Sequence, residues 1–169
     1  MEYRVGSGHD THRLVAGRPL ILGGVKIDYH LGLDGHSDAD IVLHALTDAI
    51  LGAAGLGDIG DAFPDTDPAN FQADSQIFLD AAINKVSSLG CELVNADITI
   101  FAQVPKLGPV KEQIRTHVAE ILHLPTRRVN VKAKTGENVG HIGRKEALGC
   151  HVVVLLKIPT DDSAEHHNN

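Results

Sequence analysis

The stretch HSDADIVLHALTDAILGAAG, residues 36–55, decides how the rest of the chain is read. It opens on short polar residues and turns apolar at Val42, Leu46, Ala49, Ile50 and Ala53, a spacing with the helical period. Ser37 or Asp38 is placed to cap the first turn, where a side-chain oxygen can accept a backbone N–H that the helix leaves without a partner. His44 lies four residues after Asp40 and four before Asp48, so all three share one face at the margin of the apolar stripe. A helix this apolar must be covered, and its flanks supply strands to do so.

Upstream, YRVGSGHDTH reads as a first strand and, after a turn at AGRP, PLILGGVKI as a second. Downstream, GLGDIGDAFPDTDPANF is rich in Gly, Asp and Pro and reads as one long loop. Asp74 then caps a helix, SQIFLDAAINKVSSLG, that ends at Gly90. CELVNADITIFAQ is a strand with apolar alternation through Ile98 and Ile100, stopped by Pro105. A third helix has Pro109 in its first turn and runs through VKEQIRTHVAEILHL. RVNVKAKT and CHVVVLLKI supply the last strands. The order ββ-αα-β-α-β-β predicts an α/β (α+β) sandwich, one mixed β-sheet with helices packed on one face. A single domain is expected over residues 1–158, with a polar, disordered tail at 159–169.

The 169 residues carry a formal net charge of −7, which argues against nucleic-acid binding. No stretch reaches transmembrane length, and the candidate VVVLLKI is strand-sized. The N-terminal residues lack the apolar core of a signal peptide, so a cytoplasmic protein is expected. Cys91 and Cys150 sit beside apolar segments without metal-like spacing and read as reduced, structural thiols.

The chemistry starts at GHDTHR, residues 8–13. In a strand, residues two apart point the same way, so Asp10 and His12 project together. Alone, the pair fits a solvated strand face as well as a metal site. His44 adds a third arm, with Asp48 as the partner that fixes its imidazole. An Asp-His-His tripod with a fourth position open belongs to catalytic rather than structural zinc. The loop GDIGDAFPDTDP suits hydroxyl recognition, although solvated acidic turns have the same composition. AQVPKLGP frees backbone groups at a strand end and offers Lys106. KAKTGENVGHIGRKE sets Lys132, Lys134, Thr135, Glu137 and Arg144 among glycines, the parts needed to clamp a diphosphate and hold a hard divalent ion. It matches neither a P-loop nor a dinucleotide fingerprint.

In order, D-x-H, HSD-x-D-x-x-x-HA-L-x-D, GDIG-x-x-FPD-TDP, A-x-x-PK, VK-A-x-T-x-E and G-R closely resemble the 2-C-methyl-D-erythritol 2,4-cyclodiphosphate synthase family. The resemblance runs from Arg4 to about Lys157. It implies a phosphorus–oxygen lyase of non-mevalonate isoprenoid biosynthesis. In that reaction the 2-phosphate of 4-diphosphocytidyl-2-C-methyl-D-erythritol 2-phosphate attacks the β-phosphorus, closing a cyclic diphosphate and expelling CMP. It also implies a homotrimer with active sites between subunits, one Zn²⁺, and a second ion, Mg²⁺ or Mn²⁺. By the same resemblance Asp10, His12 and His44 are zinc ligands, Glu137 holds the second ion, and His36 and Thr135 stabilise the transition state. Ser37, Asp58, Gly60, Phe63, Asp65, Asp67, Ala102, Pro105, Lys106, Leu107, Gly108 and Lys134 are implied substrate contacts. The family's axial cavity accepts an isoprenoid diphosphate, with Arg144 at its phosphates. His9 and His141 stand where relatives often carry aromatic residues, so a less apolar, pH-sensitive cavity is expected. The rival readings are a zinc-dependent phosphoester hydrolase and a non-catalytic trimer that binds isoprenoid diphosphates.

Overall fold

The computed structural model describes residues 1–64 and 73–160. In chain order it contains β1 (Glu2–Ala16), β2 (Leu20–Leu22), β3 (Val25–Ile27), β4 (Leu31–Leu33), α1 (Ile41–Ala54), α2 (Ile59–Ala62) and α3 (Ser75–Ser88). These are followed by β5 (Glu92–Phe101), α4 (Lys111–Ile121), β6 (Val129–Lys134), α5 (Gly140–Gly143) and β7 (Ala147–Ile158). Five strands form one mixed sheet in the order β4-β1-β7-β5-β6, antiparallel except for the parallel β5–β6 pair. This is the α+β arrangement expected from the alternation of strands and helical periods.

The position of α1 follows from two glycines. A Cβ on Gly6 would lie 1.9 Å from the Ala49 carbonyl oxygen, and one on Gly8 1.9 Å from that of Ala45. Only hydrogen fits there, so backbone meets backbone and the small side chains of Ala45, Ala49 and Ala53 line the contact. Ile98, Ile100, Leu148, Val152, Val154 and Leu156 continue the same sheet face and are buried. The odd-numbered residues of β1 point the other way, and Tyr3 and Val5 are 62% and 67% exposed. Val5 stands opposite Leu155, and His9 opposite His151, so this bare face mixes apolar and imidazole groups.

Several local expectations change. PLILGGVKI is not one strand but the two-stranded hairpin β2–β3, turned at Gly23 and Gly24 with φ of 60° and 75°. α1 is capped by Asp40, not by Ser37 or Asp38. Its buried carboxylate accepts from Val42 and Leu43 N–H and also from Gly23 and Gly24 N–H of the hairpin turn. Burial pushes that carboxyl up to about 6 against the pull of those N–H groups. Within the acidic loop, Asp58 caps the short helix α2. Both cysteines are free and buried, as expected. Residues 159 and 160 close the described chain, and the rest of the tail lies outside the described residues.

Candidate metal centre and its surroundings

Gly6, Gly8, Asp10 and His12 follow one another on the core-facing side of β1. Because α1 touches the strand at Gly8 through Ala45, the preceding residue, His44, arrives beside Asp10. Asp10 Oδ2 lies 2.9 Å from His44 Nδ1 and 3.1 Å from His12 Nε2. The three ligand atoms fall within 4.8 Å of one another, and all three residues are half-buried.

Surrounding contacts aim these atoms inward. His12 Nδ1 donates to the Asp34 carbonyl in a short hydrogen bond, so Nε2 is the nitrogen turned to the cluster. Thr11 N–H occupies Asp10 Oδ1 at 2.9 Å and leaves Oδ2 for the histidines. Burial pushes the Asp10 carboxyl up, but hydrogen bonds and charge from His12 and His44 outweigh it and hold it well below the usual range. The hydrogen bond to Asp10 raises His12, against the opposing effect of burial. Two imidazole nitrogens and a carboxylate oxygen at this spacing fit a divalent metal with an open position.

The triad opens on a pocket of about 240 Å³ that also gathers His36, Ser37, Gly60 and Phe63. Gly35, Ile59 and Phe78 complete its walls, and the sequence pattern pointed to none of them. The outer nitrogen of His44 faces Ser75 Oγ at 2.8 Å and Ser37 Oγ at 3.1 Å. Asp48, expected as the His44 partner, accepts the Ile59 N–H at 2.7 Å and so ties the GDIG segment to α1. Asp58 is exposed and accepts the Asp61 N–H, while Asp65 and Asp67 lie outside the described residues.

A second group of expected residues collects at the parallel ends of β5 and β6. Ala102 N–H donates to the Lys134 carbonyl at 2.8 Å, so the segments after both strands start side by side. Thr135 Oγ1 donates to Glu137 Oε1 at 3.0 Å and accepts the Glu137 N–H at 3.3 Å. Glu137 itself has φ of 50°. In the neighbouring segment Ala102 and Leu107 are buried, Pro105 is half-buried, Lys106 is exposed and Gly108 opens a short 3-10 turn. His141 on α5 and Arg144 just after it are exposed, and Arg144 Nε pairs with Glu146 at 2.8 Å. None of this group lines the triad's pocket. The register explains why: Asp10, Cys150, Ile100 and Ala133 form one row across β1, β7, β5 and β6. Three strand spacings, roughly 14 Å, therefore separate the triad from the strand that leads into Thr135.

A family model described as the YgbB family matches residues 3–157. The chain belongs to this family. Among its YgbB relatives, the 2-C-methyl-D-erythritol 2,4-cyclodiphosphate synthase of Bordetella pertussis is 56% identical over 154 residues, covering 91% of this chain and 95% of that protein. The synthase of Laribacter hongkongensis is 54% identical over 157 residues, 93% of this chain and 97% of that one. A solved structure of 2C-methyl-D-erythritol-2,4-cyclodiphosphate synthase in a CDP-bound form superposes with a TM-score of 0.85 at 40% identity, covering 91% of this chain and all of that one. The bifunctional IspDF of Campylobacter jejuni superposes with a TM-score of 0.89 at 47% identity. The match covers 94% of this chain but 43% of that protein, so this chain spans less than half its length. No helix among the described residues is long and apolar enough to cross a membrane.

Proposed function

We propose that this chain is a 2-C-methyl-D-erythritol 2,4-cyclodiphosphate synthase. It converts 4-diphosphocytidyl-2-C-methyl-D-erythritol 2-phosphate to the cyclic diphosphate and CMP. The observation that carries the reading is the convergence of Asp10, His12 and His44 on a pocket walled by His36 and Ser37 in a YgbB chain. An oxygen of the 2-phosphate forms a bond to the β-phosphorus, and the α–β anhydride bond breaks to release CMP. The attacking oxygen is already ionised, so no side-chain nucleophile is required.

The main cost is crowding negative phosphates together. Bound by the triad, a divalent metal, with zinc favoured by the donor set, supplies a Lewis acid for phosphate charge. Glu137 offers a carboxylate for a second hard ion, Mg²⁺ or Mn²⁺. His36 and Thr135 donate to phosphate oxygens, and Lys134 adds positive charge. Phe63 and Phe78 exclude water from the pocket wall. Gly60 admits backbone close to the sugar, and Asp58, Asp65 and Asp67 contribute carboxylates for its hydroxyls. The Ala102–Gly108 segment holds the cytosine.

The bare sheet face bearing Tyr3, Val5, Val153 and Leu155 supports a homotrimer, in which a neighbour's β5–β6 end completes each site. Its axial cavity is the place for an isoprenoid diphosphate held at Arg144, in surroundings made less apolar by His9 and His141. One domain spans residues 1–158, and the enzyme works in the cytoplasm.

The test is product analysis with Zn²⁺ and Mg²⁺ present. CMP and cyclic diphosphate appear in equal amounts. Release of inorganic phosphate with a linear product would instead favour a hydrolase. His36→Ala and Thr135→Ala each lower turnover by about 100-fold with bound zinc unchanged.

A further inference from the structure

His44 is held from two sides. Its inner nitrogen, Nδ1, faces Asp10, and its outer nitrogen, Nε2, lies 2.8 Å from Ser75 Oγ. Ser75 is the first residue of α3 and is fully buried. Its hydroxyl hydrogen has a clear destination, a short hydrogen bond to Asp38 Oδ1, because a carboxylate only accepts. The Ser75 oxygen therefore turns lone pairs toward His44. A 2.8 Å contact between that oxygen and a ring nitrogen needs a proton between them, and only Nε2 can supply it; Nδ1 hydrogen-bonds Asp10 Oδ2 at 2.9 Å in the metal-free chain, and a bound metal would take the place of that proton. Ser37 Oγ, which accepts the Ala39 N–H, stands farther off at 3.1 Å and shares the same ring proton.

Asp38 cannot turn away. Its Oδ2 accepts the Ser75 N–H at 3.2 Å, and its Oδ1 accepts the Asp40 N–H at 3.1 Å. Its own N–H donates to the Ala73 carbonyl at 3.2 Å. The turn before α1 and the start of α3 are thus stitched together behind the histidine.

We infer that Asp38 and Ser75 form a positioning unit, Asp38 carboxylate to Ser75 hydroxyl to His44 Nε2–H, that fixes the His44 tautomer and delivers the Nδ1 lone pair to the metal. Neither residue lines the triad's pocket. The unit couples ligand readiness on α1 to the docking of α3, and the carboxylate at its end strengthens His44 as a donor. This inference rests on the reading of Asp10, His12 and His44 as a metal centre.

The test uses Zn²⁺ and the full chain. Zinc affinity is measured by competition with a chelator for wild type, Asp10→Ala, Ser75→Ala and Asp38→Asn. Melting in excess chelator reports whether each variant folds. Ser75→Ala and Asp38→Asn lose about 10- to 100-fold in zinc affinity while remaining folded. In zinc-loaded wild type labelled with ¹⁵N-histidine, the His44 ring proton sits on Nε2 and exchanges slowly; in Ser75→Ala it exchanges fast. Wild-type zinc affinity in a folded Ser75→Ala overturns the positioning unit and leaves the metal centre standing. So does a His44 proton found on Nδ1, a result the wild type gives whether or not the variants fold. Failure of wild type itself to hold zinc, or an Asp10→Ala variant that holds it equally well, overturns both.

Discussion

Asp10 and His12 titrate in opposite directions, and this sets how the centre responds to pH. Without metal, the raised His12 contributes stability below its ordinary value of 6.5 that is lost as pH climbs through its folded value. The depressed Asp10 contributes stability above 3.8 that is lost only as pH falls through its lower folded value. The metal-free protein therefore gains most from this pair between the two ordinary values. Metal reverses the upper half of the pattern, because it needs His12 neutral. The rise in melting temperature given by zinc should grow from about pH 5 to about pH 8, as calorimetry with and without zinc will record. A zinc increment that shrinks over that range would count against His12 as a ligand. The triad itself was legible in the sequence, since a two-residue strand repeat and a helical period bring its members into view. The groups that orient it were not. Asp34 and Ser75 reach the histidines across 22 and 31 positions, and no local pattern encodes such contacts.

At the scale of elements, the contact of α1 with β1 is the part that places the site. Gly8→Ala would drive a methyl group into the Ala45 carbonyl and lift the helix that carries His44. We expect about 1–3 kcal/mol of destabilisation in denaturant melts, together with reduced zinc retention on dialysis. A variant that loses stability but keeps its zinc would mean that His44 is placed by other contacts. Asp40→Asn sets an amide NH₂ against N–H groups that both carboxylate oxygens now accept. It should cost about 1–3 kcal/mol by the same melts, with no direct contact to the pocket. The long strands and three main helices could be read from period and caps. The hairpin β2–β3, the strand β4 and the helix α2 could not, because each is three or four residues long and shows no full repeat. The cap of α1 was misplaced for a different reason: Asp40 is favoured over Ser37 and Asp38 by donors from a distant turn.

For the whole molecule, the row Asp10, Cys150, Ile100 and Ala133 sets the triad three strands away from the strand that leads into Thr135 and Glu137. In the trimer proposed above, each working site takes its triad from one subunit and its Thr135–Glu137 end from the next. His44→Ala disables one end and Thr135→Ala weakens the other by about 100-fold, so each homotrimer has little activity. Unfolded together and refolded as mixed trimers, the two should recover activity at about a quarter of the sites, since a site works only when the intact ends happen to meet. No recovery, with mixed trimers verified by mass, would place both ends of the chemistry within one subunit. The genetic consequence is intragenic complementation: damaging alleles of this one gene should sort into two classes, barren within a class and able to rescue each other between them.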